Sequence, residues 1–192
     1  MLTRSARSLL SISDRQKIIP VVENRMHFLR ALDAPQITTI MLRHCNLLEL
    51  RPLLDQAFER EVAVYVNVDH IDGIHPDSAG LRFLAHQLHI AGIVSSNPRI
   101  LTLGKNFELE TIQRLFAVDS TGLEAALESL DSHMVDLLDI TPALVIPFVV
   151  SHTTLPLPFI GSGLISTFQQ VQSVLHAGAL RVTTARAELY IA

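Results

Sequence analysis

The chain has 192 residues, 48% hydrophobic and 18% charged, with a net charge of −4 and a pI of about 6.1. That length and apolar content suffice for one sizeable core and exclude an intrinsically disordered protein, and the lack of a basic excess argues against a generic nucleic-acid binder. Mean hydropathy is high at +0.34, yet the longest apolar runs, such as residues 143–150, reach only about half of the roughly 20 residues a membrane span needs. Strands buried on both faces of a parallel sheet explain that average, so no membrane partner is expected. The one cysteine, Cys45, cannot close an internal disulfide, which suits a reducing, cytoplasmic setting. Residues 1–16 carry Arg4, Arg7 and Arg15 and no acid before Asp14; they read as a flexible extension ahead of a single domain over 17–192.

The apolar, β-branched run Ile18–Val22 predicts the first strand, and Asn24 is placed to cap the helix behind it. Residues 38–42 predict the second strand. Asn46 and Glu49 have capping-box spacing, but Pro52 inside the following apolar stripe predicts a kink, or a start near Arg51. The alternating valines of 62–68 predict the third strand, which leads into Asp69-His-Ile-Asp-Gly-Ile-His75 and a helix from about Asp77. Residues 90–94, 111–118 and 135–140 predict strands four to six. Thr121–Glu124 has capping-box spacing for the helix after strand five, and Pro142 suits the first turn of a short helix. The seventh strand, 157–160, ends in Gly161-Ser162-Gly163; a capping box at Ser166–Gln169 opens a helix that stops at Gly178. Residues 180–183 predict the eighth strand, close to the chain end.

Eight strands alternating with seven helices and a stub predict an α/β fold: a compact TIM-like (β/α) barrel of parallel strands with a truncated last helix. A doubly wound open sheet is the alternative. In a barrel the functional face lies at the strand C-termini, and phosphate sites there use the loops after strands seven and eight. Gly161, Ser162 and Gly163 stand in the first of those loops, Thr183 and Thr184 in the second. Glycines let backbone approach a ligand closely, and exposed amides at such a turn favour an anion. Asp69 and Asp119 each follow an apolar strand, where a carboxylate can bind ligand hydroxyls, act as acid or base, or cap a helix.

Other chemistries are poorly served. His70, Asp72 and His75 share a loop but match no standard metal spacing, so no metal is expected. Cys45 beside His44 is unsuited to nucleophilic catalysis because adjacent side chains rarely face each other. A Schiff base would need a lysine at a strand C-terminus; Lys17 precedes strand one and Lys105 precedes strand five.

The blocks Ile19-Pro-Val-Val-Glu-Asn24, Val66-Asn-Val-Asp-His-Ile-Asp-Gly-Ile74, Ala91-Gly-Ile-Val-Ser-Ser96, Thr111-Ile-Gln-Arg-Leu-Phe-Ala-Val-Asp-Ser120, Phe159-Ile-Gly-Ser-Gly-Leu-Ile165 and His176-Ala-Gly-Ala-Leu-Arg-Val-Thr-Thr184 fall in order along the chain. With them the chain resembles the glycerol-3-phosphate-responsive antiterminators of bacterial glycerol-uptake operons. The resemblance implies a barrel that senses glycerol 3-phosphate, acts on the leader of the operon's messenger RNA and catalyses nothing. It implies Gly161, Ser162, Gly163, Thr183 and Thr184 at the phosphate, with Asp69, Arg114, Asp119 and Asp139 around the polyol or in support. The chain departs from the family at Ser162, Ser166, Asp139-Ile-Thr-Pro-Ala143 and Ala185. A small barrel enzyme acting on a phosphorylated three-carbon metabolite is the alternative function.

Overall fold

The computed structural model describes residues 8–10 and 16–191. The chain alternates β1 (Ile18–Val22), α1 (Arg25–Leu32), β2 (Thr39–Leu42), α2 (Leu47–Glu59), β3 (Ala63–Asn67), α3 (Ser78–His86), β4 (Gly92–Ser95), α4 (Pro98–Lys105), β5 (Glu110–Phe116), α5 (Ser120–Glu128), β6 (Leu137–Thr141), α6 (Ile146–His152), β7 (Phe159–Gly161), α7 (Phe168–His176), β8 (Val182–Thr184) and α8 (Ala187–Tyr190). All eight strands pair in parallel with their sequence neighbours, and β8 closes on β1. Followed round the ring, the register returns to β1 displaced by eight residues, the shear of an eight-stranded TIM barrel. The open sheet is thereby excluded. A two-residue parallel ladder, Cys45–Asn46 with Ile71–Asp72, ties the loop after β2 to the loop after β3.

Period-two alternation divides the strands between two separate apolar clusters. Ile19, Met41, Tyr65, Val94, Ile112, Leu137 and Ile160 fill the barrel. Val22, Ile40, Val64, Ile93, Leu138, Ile140 and Val182 meet the helices. The register stacks the interior residues in layers of four taken from alternate strands. Ile19, Tyr65, Ile112 and Ile160 make an apolar layer. Towards the strand C-termini follow Met41, Val94, Asp139 and Thr183, then Val21, Asn67, Arg114 and Ser162. Polarity therefore rises towards the mouth, mostly on the β5–β8 side.

Short side-chain acceptors set the helix starts. Asn24, Asn46, Asp77, Asn97, Asp119 and Thr167 each accept a hydrogen bond from an amide of the first turn. Three expectations are corrected. The cap of α5 is Asp119, not Thr121, because Asp119 reaches the Gly122 amide at 2.7 Å. The capping box of α7 is Thr167 with Gln170, one residue later than Ser166 with Gln169. Pro52 does not delay α2, which starts at Leu47 behind the Asn46 cap. Pro142 follows a cis peptide bond in extended backbone and precedes a short 3-10 turn, while Pro147 takes the first turn of α6.

The expected flexible extension is packed where it is described. Leu9 is buried in the barrel cluster, and its amide donates to Tyr65 Oη at 2.8 Å and to Glu110 Oε1 at 3.2 Å. Gln16, also buried, accepts from the amides of Thr38 and Thr39 and donates to the carbonyls of Ile18 and Thr39. These contacts close the barrel floor. Residues 1–7 and 11–15 of that extension lie outside the described residues.

Burial raises the pKa of Glu110, and Asp136 adds to the shift. Its folded pKa thus lies above its unfolded one, so folding favours the protonated acid. The associated stability is complete below the usual carboxylate pKa and is lost as pH rises through the raised value. Glu110→Gln is therefore expected to gain melting temperature over the parent at pH 7 but not at pH 4, read by thermal melts at both.

Candidate functional site: a cleft between the loops after the seventh and eighth strands

The turn after β7 combines several unusual backbone features. Gly163 sits at φ +81°, a region open to glycine, and Leu164, 71% exposed as a residue, follows at φ +60°. Left-handed backbone is costly for leucine and marks a loop held by its surroundings. The restraints are visible. Thr141 Oγ1 donates to the Ser162 carbonyl at 2.9 Å, the Ala143 amide donates to the same carbonyl at 2.6 Å, and Thr184 Oγ1 donates to the Ile165 carbonyl at 3.1 Å.

Held this way, residues 163–166 face residues 183–186 across a cleft of about 390 Å³ that Val21 and Arg43 complete. The amides of Gly163, Leu164 and Ile165 donate to no protein group among the described residues. Arg43 and Arg186 bring positive charge to its lining. The Arg43 Nη1 pairs with Glu23 at 3.3 Å, and its buried Nε has no partner among the described residues. Free amides and guanidinium groups converging on one concavity suit a phosphate monoester.

The expected phosphate residues divide. Gly163 and Thr183 line the cleft. Gly161 does not: its amide bonds to the Arg181 carbonyl, and a Cβ there would stand 2.8 Å from both Ile146 and Val174. It is glycine because α6 and α7 pack against that strand. The Ser162 amide is likewise spent on the Ile140 carbonyl, while its hydroxyl points into the barrel. Thr184 lines the cleft but uses its hydroxyl to join the two loops, accepting from the Arg186 amide at 3.1 Å.

Inside the barrel, in the layers of Thr183 and Val21, lies a buried ion pair. Arg114 Nε and Nη2 approach the same oxygen of Asp139, Oδ2, at 2.9 and 2.8 Å, with side-chain exposures of 9% and 0%. Arg114 sits mid-strand in β5 and faces into the barrel, but it does not line the cleft. Asp69 and Asp119 lie elsewhere. Both Asp69 oxygens accept from Ser95 and Ser96, at 2.5 to 3.1 Å, and brace the β3 and β4 loops together. Asp119 is exposed and caps α5. Neither lines the cleft.

Other chemistry is geometrically remote. Lys105 pairs with Asp136 at 2.5 Å ahead of β6, and Lys17 precedes β1, both at the rim opposite the cleft. No group of three His, Cys, Asp or Glu residues is placed to hold a metal among the described residues. His44 stacks on His70, ring centres 4.9 Å apart. Burial, then Glu49 and Asp72, push the Cys45 thiol up to about 12. A thiol held that high is almost entirely protonated near neutral pH. Alkylation of Cys45 by iodoacetamide at pH 8 should be slower by about tenfold or more in the folded protein than in urea.

Arg43 and Arg186 are the residues the sequence did not single out for the phosphate. Their signal is positional: each stands one or two residues past a barrel strand, β2 and β8, that flanks β1.

The family model described as glycerol-3-phosphate responsive antiterminator matches residues 18–190. The chain belongs to this family. The glycerol uptake operon antiterminator regulatory protein of Listeria monocytogenes strain 4b F2365 is 27% identical, with 91% of this chain and 95% of that one covered and a TM-score of 0.84. The antiterminator-related protein of Thermotoga maritima, at 20% identity, shares the fold with a TM-score of 0.80 over 91% of this chain and 98% of the other. A putative deoxyribose-phosphate aldolase from Coccidioides immitis shares the barrel more distantly, at 12% identity and a TM-score of 0.64 over 92% and 83% of the two chains. No curated protein sequence matches the chain. The antiterminator family is regulatory and, by its description, responds to a small molecule. No described helix is long and apolar enough to cross a membrane.

Proposed function

We propose that the protein is a cytoplasmic sensor of glycerol 3-phosphate that, when liganded, binds the leader messenger RNA of a glycerol-utilisation operon and promotes antitermination. The observation that carries this reading is the two-loop cleft, whose lining brings the free amides of residues 163–165 together with Arg43 and Arg186. The family description supplies the effector. The ligand can favour an RNA-competent form only by binding it better than the alternative. Since net charge is −4, RNA contact must come from local arginine.

An enzyme reading, suggested by aldolase relatives in the fold, is not favoured. The chain has two lysines, and both lie away from the cleft. Isothermal titration with glycerol 3-phosphate tests the sensor. Gel-shift titration of leader RNA with and without the ligand, across a salt series, tests the response. The expected result is ligand-dependent RNA binding that weakens steeply with salt; absence of ligand binding at millimolar concentration refutes the proposal.

A further inference from the structure

We infer that the face formed by the loops after β5, β6 and β7 docks a second copy of this chain. Eleven large hydrophobic residues are exposed among the described residues, and six of them fall between Phe116 and Phe168. Phe116, Val118, Leu144, Phe148 and Leu164 make the centre of the face, at 56%, 84%, 40%, 64% and 71% exposure. Three observations join them into one surface. Phe116 pairs in register with Thr141, just ahead of the segment that carries Leu144. The Ala143 amide donates to the carbonyls of Ser162 and Gly163, which sets Leu164 beside that same segment. Val118 and Phe148 line one cavity of about 330 Å³ with Leu123 and Val149. Exposed apolar residues scattered singly need no explanation, but a contiguous patch of several hundred Å² marks an interaction site.

Charge selects the occupant. Residues 115–180 contain six acids and no lysine or arginine, and two of the acids, Asp119 and Glu124, border the cavity. Across the ring, the segments after β1 and β2 carry Arg25, Arg43 and Arg51. Nucleic acid and anionic membrane both call for cations that this face lacks. A second copy calls for none, because an uncharged apolar centre matches itself. The face also offers both halves of an isologous contact, in which one patch serves on each subunit. Phe116 and Leu164 are the exposed side chains to insert, and the cavity beside Val118 and Phe148 is there to receive them. The area agrees. The five side chains present on the order of 500 Å² of apolar surface, so two copies face to face bury about 1,000 Å² before a polar rim is counted, the threshold for a specific interface. An aromatic centre inside a polar rim is also the usual makeup of such an interface. The inference does not depend on the phosphate cleft, and it leaves the arginine-bearing segments of both copies uncovered for RNA.

Sedimentation equilibrium of the full chain over a micromolar concentration series, at low and high sodium sulfate, tests this. A monomer–dimer equilibrium is expected. Its affinity should hold or rise with the salt, which strengthens apolar burial and screens the acidic rims from each other. RNA binding has the opposite response. Phe148→Glu and Val118→Asp put a charge into the centre, and each should raise the dimer dissociation constant by about 30-fold or more, the scale of a hot-spot loss. Both positions are exposed, so the variants should melt like the monomeric parent, and either one suffices if the other does not fold. Leu48→Glu, at an exposed leucine of α2, is the control and should leave the dimer unchanged. A parent that stays monomeric throughout the series overturns the inference. So does a dimer that both patch variants leave intact, or that Leu48→Glu disrupts equally. Loss of leader-RNA binding in both patch variants of a monomeric parent overturns it in favour of RNA.

Discussion

Arg114→Leu is expected to destabilise the protein by about 3–5 kcal/mol, because it strands the Asp139 carboxylate in the barrel without its cation. Both partners are almost fully buried, at 9% and 0% side-chain exposure. Urea unfolding of the parent and the variant reads the loss. The double replacement Arg114→Leu/Asp139→Leu should recover most of it, since a buried ion pair exchanged for apolar side chains is often neutral or better. Equal destabilisation of single and double variants would show that packing, rather than the unpaired charge, dominates at this layer. Against apolar side chains of similar size the pair therefore contributes little net stability.

The second large effect concerns the cleft. Arg43→Ala and Arg186→Ala should each weaken glycerol 3-phosphate binding by about tenfold or more, and together by about 100-fold or more, if each guanidinium makes a charge-assisted bond worth about 1.5–3 kcal/mol. Arg186 is exposed, so its removal should leave stability without ligand within about 0.5 kcal/mol. Arg43 carries an ion pair with Glu23 between partly exposed groups, worth little to stability. Calorimetric titration of the two single variants and the double one, beside melts without ligand, separates binding from folding. Unchanged affinity in the double variant would place the phosphate elsewhere.

These expectations show which parts of the site were legible in the sequence. The Gly161-Ser162-Gly163 turn and Thr183-Thr184 were found together because a β/α count assigns them to adjacent loops. Their roles were not legible. A glycine against helices and a glycine at positive φ are written with the same letter, and only the packing of Ile146 and Val174 separates Gly161 from Gly163. Asp69 and Asp119 show the same ambiguity from the other side. An aspartate after a strand suits a ligand or a helix cap equally well, and contacts to Ser95, Ser96 and the Gly122 amide reveal bracing and capping. Arg114 lies mid-strand, yet the two-residue alternation turns its side chain into the barrel, where it pairs with Asp139.

By itself the sequence determined the fold. Alternating apolar runs and amphipathic stripes, with caps at Asn24, Asn46 and Asp77, dictate β/α units through local physics, and eight such units leave a closed parallel barrel as the compact solution. Local signals also located the loops that form the cleft. What only the tertiary structure decided is which atoms are spent and which are left over. The burial of Leu9 in the barrel floor, the convergence of Arg43 and Arg186, and the ion pair of Arg114 with Asp139 all depend on contacts between residues far apart in the chain. Hydrogen-bond satisfaction is a property of three-dimensional neighbours, so the Gly-Ser-Gly turn could mark the site in the sequence while its working atoms stayed hidden until the barrel closed.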